Sequence, residues 1–153
     1  MADEPIQERI LQDIRESLSA IDGTGAYHHA LASVERGKPD VPEDLTQLPA
    51  AFIAAGDETV IQDTNLLHTR RLPVSVEAWV RSADGDLPTR VSRMIADMER
   101  SLLADPTRGG LAIRTELLGS GKTLDESPGV LASARVDIAV HYWTLVGNPA
   151  SVG

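Results

Sequence analysis

The segment Gly119-Ser120-Gly121-Lys122-Thr123 is the stretch closest in type to a catalytic motif. Glycines followed by a lysine and a hydroxyl residue cradle phosphates in nucleotide-binding loops. The spacing excludes that chemistry: the motif needs a glycine five residues before Gly121, where Glu116 stands, and Ser127-Pro128-Gly129 follows where a helix should open. The segment reads instead as part of a loop over 119–129. Four histidines, with Asp63 or Asp137, could in principle hold a metal. His28 and His29, adjacent on an expected strand, point to opposite faces, and His68 and His141 have no paired ligand spacing. No Gly-x-Ser-x-Gly elbow presents Ser101 or Ser120 as a nucleophile. Asp125 and Glu126 fall in the 119–129 loop, where solvation keeps both carboxyls ordinarily acidic and unsuited to acid/base work. With no cysteine there is no disulfide, thiolate nucleophile or thiolate ligand. These residues predict a non-enzymatic chain without metal or cofactor.

The tryptophans are more informative. One Phe, two Tyr and two Trp leave the core to Leu, Ile, Val and Ala, so where each indole falls matters. From Leu72 the pattern alternates, with Leu72, Val74, Val76, Ala78 and Val80 on one face and Arg71, Ser75, Glu77, Trp79 and Arg81 on the other. Near the C-terminus Trp143 shares a face with Arg135, Asp137 and His141, opposite Val136, Ile138, Val140 and Tyr142. A large amphipathic ring beside charges is a common composition for a protein–protein contact. The alternative is that the two rings pack on each other, or under a loop, within one subunit.

Several elements must position these faces. Ile6, Ile10, Leu11, Ile14, Leu18 and Ile21 recur at helical spacing between Pro5 and Gly23, which predicts a helix over 5–22. Residues 27–35 read as a strand, 37–48 as an acidic, proline-containing loop, and 49–56 as a short buried strand. After the strand ending near Ser82, Asp84-Gly85-Asp86 makes a turn. Pro88 then opens a helix over 87–105 whose Val91, Met94, Ile95, Met98 and Leu102 form an apolar stripe, with Arg93 and Asp97 on the solvent side. Strands follow over 111–118 and 132–145, and a loose tail after Gly147. The expected fold is α+β: a mixed or antiparallel sheet with two helices packed on one face, because two helices cannot cover both.

The 153 residues fit one domain. Fourteen basic against 23 acidic residues, a net −9, argue against nucleic acid or an anionic membrane as the principal partner. No apolar run is long enough to span a bilayer, and residues 1–21 are acid-rich and amphipathic rather than a signal peptide, so a cytoplasmic protein is expected.

The order of elements and several local phrases resemble the tail terminator (tail completion) family of long-tailed bacteriophages. The resemblance covers roughly Ile6 to Thr144. It rests on Leu48-Pro49-Ala50 entering a strand that closes on Gly56-Asp57-Glu58, on Arg71-Leu72-Pro73-Val74-Ser75-Val76, and on Leu103-Ala104-Asp105-Pro106. The closing Val136-Asp137-Ile138-Ala139-Val140-His141-Tyr142 completes it. It implies a virion subunit, assembled in the host cytoplasm, that forms a homohexameric ring at the head-proximal end of the tail. Such a ring stops tube polymerisation and joins the tail tube protein to the head connector or neck, with a lumen through which DNA passes. A head-completion or neck adaptor protein is the alternative. On this reading the segment 57–71 is a long hairpin projecting toward the tube or lumen, and the loops at 37–48 and 119–129 are further contact elements. The expected contact residues are Glu58, Asp63, Arg70, Arg71, Trp79, Arg81, Arg135, Asp137 and Trp143.

Overall fold

The computed structural model describes residues 2–37, 48–82, 85–124 and 131–153. Most of the expected 37–48 loop, the Asp84 position of the turn, and Asp125 and Glu126 lie outside them.

The fold is α+β, as the hydrophobic periodicities require. Helix α1 (Ile6–Ser19) buries Ile6, Ile10, Leu11, Ile14 and Leu18, and α2 (Leu87–Leu103) buries Leu87, Val91, Met94, Met98 and Leu102. The strands are β1 (Ser33–Arg36), β2 (Ala50–Ala55), β3 (Thr59–Asp63), β4 (Leu67–Arg81), β5 (Arg114–Leu124), β6 (Leu131–Leu145) and β7 (Asn148–Val152). They form one sheet in the order β1-β2-β4-β6-β5, with β3 pairing β4 and β7 pairing β6. Its spine is the antiparallel β4–β6 pair, in register over all fifteen residues of each strand from Leu67↔Leu145 to Arg81↔Leu131. Among the described residues only β1–β2 is parallel.

Period-2 alternation sends Leu72, Val74, Val76, Ala78 and Val80 of β4 and Ala132, Ala134, Val136, Ile138, Val140 and Tyr142 of β6 into one core with the buried faces of both helices. Each fully buried aliphatic side chain there contributes about 1.5–3 kcal/mol. Both helices therefore serve the same sheet face, as expected.

Five expectations need correction. The first strand is Ser33–Arg36 rather than 27–35, and residues 27–32 form a loop tied down by an isolated bridge between Asp22 and Ala30. The segment 57–71 is indeed a hairpin, but it is built of β3 and the first part of β4, so the central strand starts at Leu67. Residues 119–124 are not loop: β5 starts at Arg114 and runs to Leu124. Gly119 and Gly121 have no positive φ there, and Gly121 instead leaves room for Arg135, whose Nη2 would lie 2.6 Å from an added Cβ. The tail after Gly147 folds back as β7 through the Val146-Gly147 turn, with Gly147 at φ 76°. Finally, Asp97 is not on a solvent face but is 1 % exposed.

Candidate functional site

The sheet face away from the helices can be mapped row by row, because residues paired in antiparallel register share a face. From one end the β4–β6 rows are Trp79–Ser133, Glu77–Arg135, Ser75–Asp137, Pro73–Ala139, Arg71–His141, Thr69–Trp143 and Leu67–Leu145. β2 extends three of them, with Ala50 beside Trp79, Phe52 beside Glu77 and Ala54 beside Ser75. β5 adds Gly121 to the Arg135 row, Gly119 to the Asp137 row, Glu116 to the Ala139 row and Arg114 to the His141 row.

These rows carry connected charges. Ser75 Oγ donates to Asp137 Oδ1 at 2.9 Å, and Arg135 Nε donates to Asp137 Oδ2 at 3.1 Å. In the next cluster Glu116 Oε2 lies 3.1 Å from His141 Nε2 and 3.3 Å from Arg114 Nη2. The hydrogen bond from His141, then Arg114 and Arg71, hold the Glu116 carboxyl below the ordinary carboxylate range. The result is a row in which Arg71 and Arg114 flank His141 around a single carboxylate, in a chain of net charge −9.

Of the nine expected contact residues, Arg71, Trp79, Arg81, Arg135, Asp137 and Trp143 alternate onto this face. The two indoles do not pack on each other. Trp79 sits opposite Ser133 and Trp143 ten residues farther along β6, about 33 Å away at strand rise. Trp143 is 41 % exposed, whereas the Trp79 indole nitrogen is buried without a hydrogen-bond partner among the described residues.

Glu58 and Arg70 lie elsewhere. Arg70 pairs in register with Tyr142 on the helix side, where its Nη1 donates to Glu58 Oε2 at 3.0 Å and its Nε to Thr144 Oγ1 at 2.9 Å. The Tyr142 hydroxyl donates to the other Glu58 oxygen. This is an internal anchor for the start of the β3 hairpin. Asp63 stands at the end of β3, 3.1 Å from His68 Nε2.

Sequence reasoning missed Glu116 and Arg114, although both alternate onto the open face of β5. The β-bulge between Leu117 and Gly119 breaks the period-2 signal that would have shown it. It also misplaced His28 and His29, which lie on no strand and are held through their backbone by Asp97.

Among the described residues no group of three or more His, Asp or Glu side chains could hold a metal. A cleft of about 520 Å³ beside α1, between Glu8, Asp13, Glu16 and Arg108, contains no serine, histidine or tyrosine. Among the described residues, no helix is long and apolar enough to cross a membrane. What the open face offers is a broad surface of aromatic rings and paired charges, suited to contact with another macromolecule.

The sequence matches no family profile and no curated protein. Among solved structures, one chain of the virion of a native gene transfer agent particle is similar, with a TM-score of 0.44 and 13 % identity. The match covers 90 % of this chain and 93 % of that one.

Proposed function

We propose that the chain is a non-enzymatic structural subunit of a phage-like virion. It assembles with copies of itself into a ring at the head-proximal end of a tail, where it terminates the tube and receives the head connector. The observation that carries this reading is the allocation of the helices. Both pack on one sheet face, so the other face of β2, β4, β6 and β5 keeps its Trp, Arg and Glu side chains for a neighbour. The resemblance of the sequence to the tail terminator family supports the particular role.

Negative-stain imaging of the purified protein, alone and mixed with polymerising tail-tube protein, tests it. Six-fold rings alone, and uniformly short tubes capped at one end in the mixture, are the expected results. A monomer at micromolar concentration would remove the assembly reading. Rings that leave tube length unlimited while binding the head portal would move the protein to the neck adaptor role.

A further inference from the structure

The sheet has two flanks, and both are unpaired among the described residues. On one, β3 pairs only β4, and all five of its residues are exposed. On the other, β5 pairs only β6. An uncovered edge strand presents unpaired N–H and C=O groups and is a template for another chain. Exposed aliphatic side chains occur on both edges: Val60 and Ile61 are 49 % and 53 % exposed on β3, and Leu117 and Leu118 are 39 % and 45 % exposed at the β5 bulge.

The charges of the two edges are opposite. Residues 57–63 carry the exposed Asp57 and Asp63 and no base, Glu58 being taken up by Arg70 and Tyr142, whereas β5 carries the exposed Arg114 and Lys122, with Glu116 beside Arg114. The strand directions also agree. β3 runs antiparallel to β4, β4 to β6 and β6 to β5, so β3 and β5 of one subunit point in opposite directions. Rotation about an axis along the strands preserves each direction. A neighbour's β5 would therefore meet β3 in antiparallel fashion, with ladder bonds perpendicular to both strands.

We propose that the subunits join edge to edge, β3 of one copy pairing antiparallel with β5 of the next. If Val60 and Ile61 face Leu118 and Leu117 of the neighbour, the same register places Asp63 opposite Thr115, beside Arg114. It also places Asp57 opposite Gly121, beside Lys122. One edge thus reads acid, apolar, acid and the other base, apolar, base. Because the two edges differ and lie on opposite flanks, the contact is head-to-tail and generates a closed ring or a filament, never an isolated two-fold dimer. This inference rests on the assembly reading above and specifies its contact.

The test uses the full chain and two charge-reversed variants, Asp57→Lys/Asp63→Lys and Arg114→Glu/Lys122→Glu, all four positions being exposed. Each variant alone should raise the concentration for half-assembly by about tenfold or more, as repulsion replaces attraction at both ends of the contact. An equimolar mixture should recover assembly, since each junction of an alternating ring is again complementary. In wild-type rings the Thr59–Asp63 amides that do not bond to β4 should be protected from hydrogen exchange, and in the single variants at the same concentration those amides should exchange as in the monomer. Wild type that never assembles overturns the assembly reading itself. Wild-type rings whose outward-facing Thr59–Asp63 amides exchange as freely as in monomers, or variants that assemble like wild type, overturn the edge contact alone.

Discussion

The carboxylate of Asp97, midway along α2, holds the backbone of His29, 68 residues earlier in the chain: Oδ2 accepts the His29 N–H at 2.9 Å. The same group accepts the His28 N–H at 3.0 and 3.1 Å and lies 3.1 Å from His29 Nδ1. Two backbone N–H donors and a ring nitrogen within hydrogen-bond distance surround a carboxyl group that is 1 % exposed, which fixes the 22–32 loop against the helix layer.

Asp97→Ala should therefore lower unfolding stability by about 2–4 kcal/mol, since it leaves two backbone donors without their acceptor. Asp97→Asn, which keeps one acceptor oxygen, should lose less. Urea midpoints compare the three proteins, and an unchanged midpoint in the alanine variant would remove the anchoring role.

Arg108 closes the other end of α2. It is fully buried at φ 50°, donates to the Leu102 and Asp105 carbonyls, and sits 3.5 Å from Asp13 Oδ2, whose carboxyl burial raises above its ordinary range. Arg108→Ala should cost about 2–4 kcal/mol, because the helix carbonyls lose their donor and the Asp13 carboxylate its cation. Arg108→Gly loses the same contacts but relieves the left-handed backbone, so it should be more stable than the alanine variant by up to about 1 kcal/mol. Thermal unfolding of the pair separates backbone strain from guanidinium bonding.

Burial first, then its hydrogen bond to Glu58, raises the Tyr142 phenol above its ordinary 10.0. A raised folded-state value means that this group's contribution is complete below about pH 10 and is lost as the pH rises through the folded value, because the unfolded phenol ionises first. Wild-type stability should thus fall above pH 10 more steeply than that of Tyr142→Phe. Tyrosinate absorbance should show one of the two tyrosines titrating only with unfolding; two ordinary titrations would contradict the contact.

Because the Trp79 nitrogen has no acceptor among the described residues, Trp79→Phe gives up volume but also removes an unmet donor. Its stability should stay within about 1 kcal/mol of wild type, against about 3–5 kcal/mol lost in Trp79→Ala. Equal losses in the two variants, read from denaturant curves, would mean that the nitrogen is satisfied.

How far the sequence could be read differs from element to element. Helix α1, helix α2 and the inward faces of β4 and β6 follow from local periodicity, since a 3.6 or 2 repeat needs only the chain's own neighbours. The hairpin strand β3, the extension of β5 through Gly119 and Gly121, and β7 did not. β3 and β7 are five-residue strands that pair with their sequence neighbours across short turns and bury too little to carry an apolar repeat, while in β5 Gly121 sits against Arg135. Glycine, read locally, signals a break; within a sheet it can instead make room for a guanidinium.

The same division holds for the surface. Period 2 sufficed to put Trp79, Arg135, Asp137 and Trp143 on one face, because side-chain direction along a strand is a backbone property. Only the register of β4 on β6 and of β6 on β5 decided that Arg71, His141 and Arg114 share a row, and that Arg70 and Glu58 turn inward to Tyr142. The sequence by itself determined which aliphatic residues of the two helices and of β4 and β6 go inside, since that depends on hydrophobicity taken at a fixed repeat. Tertiary structure alone decided which distant side chains become neighbours and which strands are left as edges, since strand order and register are set by long-range pairing that no local repeat encodes.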